Sequence, residues 1–488
     1  MRDESSQPSH FVFPVSLHPK YAEAEQVDER VESWGWLEVF VLTQVFWGLL
    51  LFVPGSQAYR TAIRAFPYVA SLLALAGCAR FGSTSFTAPG ARWIMAALLL
   101  LVANLLHDET WIGAGMAQIV FQLAIAAPVF WAARAISDHR LNRLMLLIFG
   151  ANFLSTALGL LQVYYPDTFL PPEFSALALR FNPDFVNEMS YVGSGGRLIV
   201  RPPGLSDMPG GASISGTMAA LLGFAFALRP GQRQSAKIGY FAAAIIAITV
   251  VYLTQVRSML LMIPGGMAVM ALIKLRQGRV LQSGWVAASA GALVFGGFLW
   301  AVTVGGGLVE DRYRGIVDSG VVQTYQENRG MFLSHTVNEL AFEYPFGAGL
   351  GRWGMMTAYF GEPGNWRNPA LHAEIQLTGW LYDGGLLMWV FYPAALLLAM
   401  RQSYRLAVQP EDTLNEFAMT VLAIQLLTVG LAFTGPVFNT QVGIIFWLAT
   451  ALLYGCERAR AIEAWNAELD AQDAEDAEDA NELGAVHG

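Results

Sequence analysis

Long apolar stretches alternate with short polar ones along most of this chain. About 20 helical residues cross about 30 Å of hydrocarbon. Twelve stretches come near that length, at 36–54, 62–79, 91–107, 113–133, 141–164, 211–229, 236–253, 257–274, 281–303, 385–401, 414–433 and 437–455. Each is a predicted membrane span. Lysine and arginine collect in alternate short loops: Arg80 and Arg92; Arg134, Arg140 and Arg143; Arg229, Arg233 and Lys237; Lys274, Arg276 and Arg279; Arg401 and Arg405; Arg458 and Arg460. The turns near 107–112 and 434–437 carry neither residue. Short positive loops stay inside, so both termini are expected in the cytoplasm of a bacterial inner-membrane protein. Arg60 and Arg64, in the first outside turn, run against the rule.

The fold class expected is an all-α, polytopic transmembrane helical bundle of about twelve spans. It comprises a cytoplasmic segment 1–35, spans one to nine over 36–303 with an external loop 165–210, a large external loop 304–384 holding short amphipathic helices, spans ten to twelve over 385–455, and an acidic cytoplasmic tail 456–488. The N-terminus is polar with no apolar core, unlike a cleaved signal peptide. Loops of such length tend to be functional, which directs attention to the external face.

Composition agrees. Hydrophobic residues make up 55% and charged residues 14%, against about 25% charged in soluble domains. The net charge of −9 comes mostly from the tail after Cys456, which holds ten acidic residues and two arginines. Without the tail the balance is −1, from 27 basic and 28 acidic residues. No basic footprint for nucleic acid remains. The tail itself, with Asp473-Ala-Glu-Asp-Ala-Glu-Asp479, reads as solvated and partly disordered. The two cysteines, Cys78 and Cys456, fall at cytoplasmic helix ends, where a disulfide is not expected. No phosphate loop, HExxH or His/Cys metal cluster occurs. Gly349-Leu-Gly351-Arg-Trp-Gly354 fits a GxGxxG pattern but follows no strand; it reads as a turn that lets backbone approach closely.

Spans three to nine and eleven hold almost no ionisable residues away from their ends. A proton-coupled transporter would place carboxylates or histidines there. The external arginines are more informative. Arg257 opens the eighth span, where a cation opposes the helix dipole unless an anion also sits there; contact with lipid phosphates is the plainer alternative. Arg201, in Arg201-Pro-Pro-Gly204, is held by prolines. Arg329 opens an amphipathic stretch whose Phe332, Leu333, Val337, Leu340 and Ala341 share one helical face. Asn368 and Pro369 suit a helix start, placing His372 in a first turn where the positive helix end favours a neutral, proton-accepting ring. Asp383-Gly384-Gly385 should break that helix before the next span.

Four of these places resemble the O-antigen ligase and O-antigen polymerase superfamily of bacterial membrane glycosyltransferases. They are Tyr344-Pro-Phe-Gly-Ala-Gly-Leu-Gly351, His372 ahead of Asp383-Gly384-Gly385, Thr254-Gln-Val-Arg257-Ser258, and Arg201-Pro-Pro-Gly204. The chain departs from the family pattern at Ala373, where asparagine is common, and at Asp207-Met-Pro-Gly-Gly211. The resemblance implies transfer of an undecaprenyl-diphosphate-linked glycan to a glycan or lipid-linked acceptor at the periplasmic face. It implies inversion at the anomeric carbon, no cofactor and no metal. His372 would be the general base. Arg257 and Arg329 would bind the substrate diphosphate with help from Arg201, and Glu374 is the candidate to support His372. Polymerase, ligase and protein-glycosylating activities all remain open, and other polysaccharide-assembly proteins are conceivable partners. The rival readings are a flippase for the same lipids and a non-catalytic assembly component.

Overall fold

The computed structural model describes residues 35–80, 86–175, 179, 183–362, 364–409 and 412–486. The expected N-terminal segment, except Gly35, lies outside the described residues. Eight helices are long and apolar enough to cross a membrane: α2 (Arg60–Arg80), α5 (Asp138–Tyr164), α7 (Gln234–Thr254), α8 (Arg257–Arg276), α9 (Val280–Gly305), α12 (Gln376–Ala407), α13 (Thr413–Leu431) and α14, which runs from Gln441 to Val486. Four shorter apolar helices lie where the remaining spans were expected: α1 (Trp36–Phe52), α3 (Ala91–Leu106), α4 (Ile112–Ala126) and α6 (Ala212–Leu228). Large apolar side chains such as Leu73, Ile238, Leu272, Phe295 and Leu397 stand exposed on the bundle surface, as a lipid-facing surface requires. This is a multi-pass, almost wholly helical membrane protein.

At the centre, α6 is buried nearly all round and packs on α5, α7 and α8. Its small residues permit close approach: a Cβ on Gly216 would lie 2.6 Å from Val251 Cγ2. At one end of the bundle, ionic contacts tie helices together: Arg140 with Glu38 at 3.0 Å, Lys274 with the buried Glu416, and Arg460 with Asp138 and Asp412. The loops between α5 and α6 and between α9 and α12 gather at the other end.

There the expected all-α fold carries one exception among the described residues, an antiparallel hairpin of β1 (Ser190–Val192) and β2 (Leu198–Val200), pairing Tyr191 with Ile199. Tyr191 and Ile199 face inward while Val192 and Leu198 face out, the two-residue alternation of a strand. The Tyr191 hydroxyl donates to Leu253 O at 2.9 Å, satisfying a carbonyl in the last turn of α7. Arg60 and Arg64, anomalous by charge, are accounted for here. Arg64 pairs with buried Asp207 at 2.5 Å, and Arg60 donates to the carbonyls of Glu173 and Phe174. They anchor the 165–210 loop to the start of α2.

The second loop holds α10 (Gly307–Ser319), a helical stretch α11 over 321–343, and a short helix, Gly354–Phe360. Arg329 was expected at the start of its helix. It lies mid-way along α11, because the helix already begins at residue 321 and contains two π-helical turns. Thr336, Leu340 and Ala341 are buried, Phe332 and Leu333 half-buried, but Val337 faces out; the π turns rotate it off the shared face.

Between α11 and the Gly354–Phe360 helix, the turn 345–354 meets other backbone at several points. Gly347, Gly349, Gly351 and Gly354 all have positive φ. A Cβ on Gly349 would come within 2.8 Å of Glu109 and Thr110 backbone, and one on Gly385 would lie 2.1 Å from Pro345 O. The expected break at Asp383-Gly384-Gly385 is present as a kink inside α12. The α12 helix itself begins only at Gln376. The tail, expected to be partly disordered, instead continues α14 as helix through Val486; alanine and glutamate are strong helix formers. Cys78 and Cys456 are both buried and neither is in a disulfide; the Cys78 sulfur accepts from Arg134 at 3.2 Å and the Cys456 thiol donates to Asp138 at 2.9 Å.

Gly351→Ala would force a Cβ to 2.5 Å from Gly115 N at φ +77°. It is expected to cost about 3 kcal/mol, read as a lower thermal-unfolding midpoint in detergent. Gly77→Ala, whose Cβ meets nothing within 4 Å, should change stability by less than about 0.5 kcal/mol. Equal losses would contradict the close-approach account.

Candidate functional site

Two polar groups stand at the hairpin end of the bundle. The first is built around His372. Residues 368–375 are not helical, so His372 is not in a helix first turn; it lies in an extended segment four residues ahead of α12. The expected helix-end effect on its ring is therefore replaced by a side-chain contact. His372 Nε2 lies 2.9 Å from Glu374 Oε1, while Glu374 Oε2 accepts from Arg329 Nη1. A carboxylate can only accept, so Nε2 carries the imidazole proton and Nδ1 presents its lone pair. Phe332 packs edge-on to the ring at 6.3 Å, and the Arg329 guanidinium lies 5.9 Å from the same phenyl ring. The His372 side chain is 74% exposed, open to a hydroxyl from outside.

The extended segment is fixed by its neighbours. Arg352, almost fully buried, donates from Nε to Pro369 O at 3.1 Å and from Nη1 to Ala348 O at 2.6 Å, and pairs with Glu109. Leu371 N donates to Arg352 O at 2.6 Å, and Trp111 Nε1 to Asn368 O at 3.1 Å. Beneath them, buried Asp383 Oδ1 accepts from Gln118 Nε2 at 2.5 Å and from Trp353 Nε1 at 2.6 Å. Gln118 Oε1 in turn accepts from Gly351 N at 2.9 Å.

The second group contains Arg201 and Arg257, both near enough to Arg312 of α10, which the sequence did not single out, for their charges to act on it. Burial and the charges of Arg257 and Arg201 push Arg312 down to about 10, and burial lowers Arg201 as well. The Nε atoms of all three are buried and lack a hydrogen-bond partner, as does Nε2 of Gln255. Among the described residues, no acid pairs with these arginines. Gln255, buried in the turn between α7 and α8, has φ +55° and is the sole non-glycine with positive φ among the described residues. Three half-buried arginines with unpartnered Nε atoms, and no acid paired with them among the described residues, beside a strained backbone, mark a site organised for something else.

No ion pair or hydrogen bond joins the two groups among the described residues, so Arg329 is held by Glu374 rather than by a cluster with Arg257. Both groups are nevertheless set on the end of α13. Gln376 N donates to Ala432 O at 2.9 Å and Tyr325 Oη to Phe433 O at 3.3 Å, while α13 packs along α8. An apolar crevice lined by Ile214, Met218, Met259, Met262, Leu427 and Leu431 runs beside the start of α8.

Arg312 escaped the sequence because Glu310-Asp-Arg-Tyr-Arg314 reads as an ordinary solvated run. The available signal was the pair of glycine breaks around it, at 305–307 and at 320. His335 and Arg197 stay peripheral: His335 contacts Glu339 at 3.1 Å on the surface, and Arg197 donates to Tyr164 O at 2.6 Å.

Comparison with protein-family models and with curated proteins found no match.

Glu374→Ala should cost less than about 1 kcal/mol of stability, because the ion pair is partly exposed. It should speed amide exchange across 370–375, read by hydrogen–deuterium exchange. Unchanged exchange would mean that the Arg329–Glu374–His372 contacts do not hold that segment.

Proposed function

We propose that this protein is an inverting membrane glycosyltransferase that moves a glycan from undecaprenyl diphosphate to a sugar hydroxyl at the periplasmic face. The observation that carries the reading is the presence, at one end of a lipid-facing bundle, of both a carboxylate-oriented imidazole and half-buried arginines that have no acid partner among the described residues. All twelve apolar helices are read as spans, with both termini cytoplasmic in the inner membrane. Supporting this, lysine and arginine collect at the end opposite the site.

In this reading Nδ1 of His372 takes the proton of the acceptor hydroxyl. The freed oxygen attacks the anomeric carbon from the face opposite the leaving group, which inverts it. The bond from that carbon to the diphosphate oxygen breaks, and its electron pair leaves with the diphosphate. Arg201 and Arg257 stabilise the charge that develops there. Arg329, assigned to the same clamp by the family resemblance, acts instead by holding the Glu374 carboxylate against His372, where it stabilises the imidazolium formed in the step. Chain extension by polymerase action is the favoured variant, since no feature selects lipid A core as acceptor. Transport of the same lipids is the competing class.

His372→Ala, expressed at wild-type level in a host lacking the protein, should abolish polymer and accumulate short lipid-linked repeats on polysaccharide profiling. Long, unattached lipid-linked polymer would point to the ligase variant. A wild-type profile would remove His372 as the base.

A further inference from the structure

Three features converge on α10. Its first residue follows Gly306, at φ +69°, and its last precedes Gly320, at φ +77°. A Cβ on Gly320 would meet nothing within 4 Å, so packing does not wedge the break after the helix, whereas the break at Gly306 rests against the hairpin. Between them, near the start of the helix, buried Val309 packs its side chain on Gly305. Leu308 is exposed, and Glu310 and Arg314 pair with each other at 2.6 Å on the surface. The β-hairpin fixes the base of this helix: a Cβ on Gly193 would lie 2.9 Å from Val304 O, and one on Gly306 3.2 Å from Ser194 N.

The same hairpin leads straight into Arg201, and its Tyr191 is bonded to the end of α7, four residues before Arg257. The geometry therefore delivers Arg312 from a hinged helix onto two arginines carried by fixed elements. Three guanidinium charges repel one another, and each stays charged near neutral pH. With buried Gln255 Nε2 they leave at least four donors without acceptors. One compact polyanion would satisfy all of them; a single carboxylate has neither the charge nor the acceptors.

We propose that α10 is a hinged clasp that brings Arg312 down as the third arm of a diphosphate site with Arg201, Arg257 and Gln255. The ligand class is a phosphate-bearing polyanion, from a polyprenyl diphosphate rather than a bulk lipid headgroup. Empty, the site is loosened by like-charge repulsion; filled, it is closed by the anion. The inference rests on the anion-holding half of the proposed function and not on glycosyl transfer.

Hydrogen–deuterium exchange of the full-length protein in phosphatidylcholine nanodiscs tests it, with farnesyl diphosphate and inorganic pyrophosphate as probes and tryptophan fluorescence titration for affinity. Farnesyl diphosphate should protect 307–320 and the segment around Gln255. Arg312→Gln should weaken binding about tenfold or more and abolish protection of 307–320, while Arg257→Gln weakens binding as strongly. The surface variant Arg314→Gln should do neither, and unchanged thermal midpoints confirm folding. Wild-type affinity in Arg312→Gln with loss in Arg257→Gln would overturn the clasp alone. Wild-type affinity in both would overturn the anion site itself. Protection of 307–320 by phosphatidylglycerol as strong as by farnesyl diphosphate would overturn the diphosphate assignment.

Discussion

The fit of the glycine turn 345–354 against two other stretches of backbone is the constraint on which the candidate site depends. Gly349 and Gly351 lie where any Cβ would overlap residues 109–115, and Gly385 lies against Pro345. Left-handed φ at these positions suits glycine, and no larger residue could come so close. The buried Asp383 carboxylate completes the joint. It takes hydrogen bonds from Gln118 of α4 and from Trp353 of the turn. A buried carboxylate is costly unless its acceptors are filled, so the three groups hold one another in place. The kink at Gly384–Gly385 is the backbone change that lets α12 pass under this joint.

The rest of the site follows from that joint. With the turn fixed, Arg352 grips residues 369–371 through backbone, and His372 projects from a segment that has no helix of its own to hold it. Glu374 then orients the ring, with Arg329 behind it. The arginine group is held by a different device, the β-hairpin, which ties Arg201 to the end of α7 and touches the base of α10. One polar group is thus complete in itself, with acid, base and cation paired. The other carries positive charge with no acid paired to it among the described residues. That asymmetry suits a site where one half handles a proton and the other receives an anionic leaving group.

Much of this was legible in the sequence. Apolar run length located the eight helices that are long and apolar enough to cross a membrane, because lipid thickness demands such length; the other four expected stretches form shorter apolar helices. Arg201, Arg257, His372 and the Asp383-Gly-Gly break stood out because each is chemically out of place where it lies. What was not legible depends on contacts between segments distant in sequence. Asn368-Pro369 is a good local helix start, yet the chain stays extended to residue 375 because Arg352 and Trp111 take its carbonyls. The π turns in α11 moved Val337 off the buried face and Arg329 away from the helix start. Arg60 and Arg64 broke the charge rule because their partner, Asp207, is far along the chain. Strands of three residues are too short for a periodic signal. Arg312 looked solvated because its neighbours Glu310 and Arg314 are.

The central claim is that the paired imidazole and the unpaired arginines carry out one glycosyl transfer. Reconstitution of the purified protein in proteoliposomes with a synthetic undecaprenyl-diphosphate oligosaccharide tests it most directly. The account predicts one undecaprenyl diphosphate released for each new glycosidic bond, with inverted anomeric configuration. Recovery of the lipid-linked substrate intact, or its appearance in the opposite leaflet without release of undecaprenyl diphosphate, would contradict it.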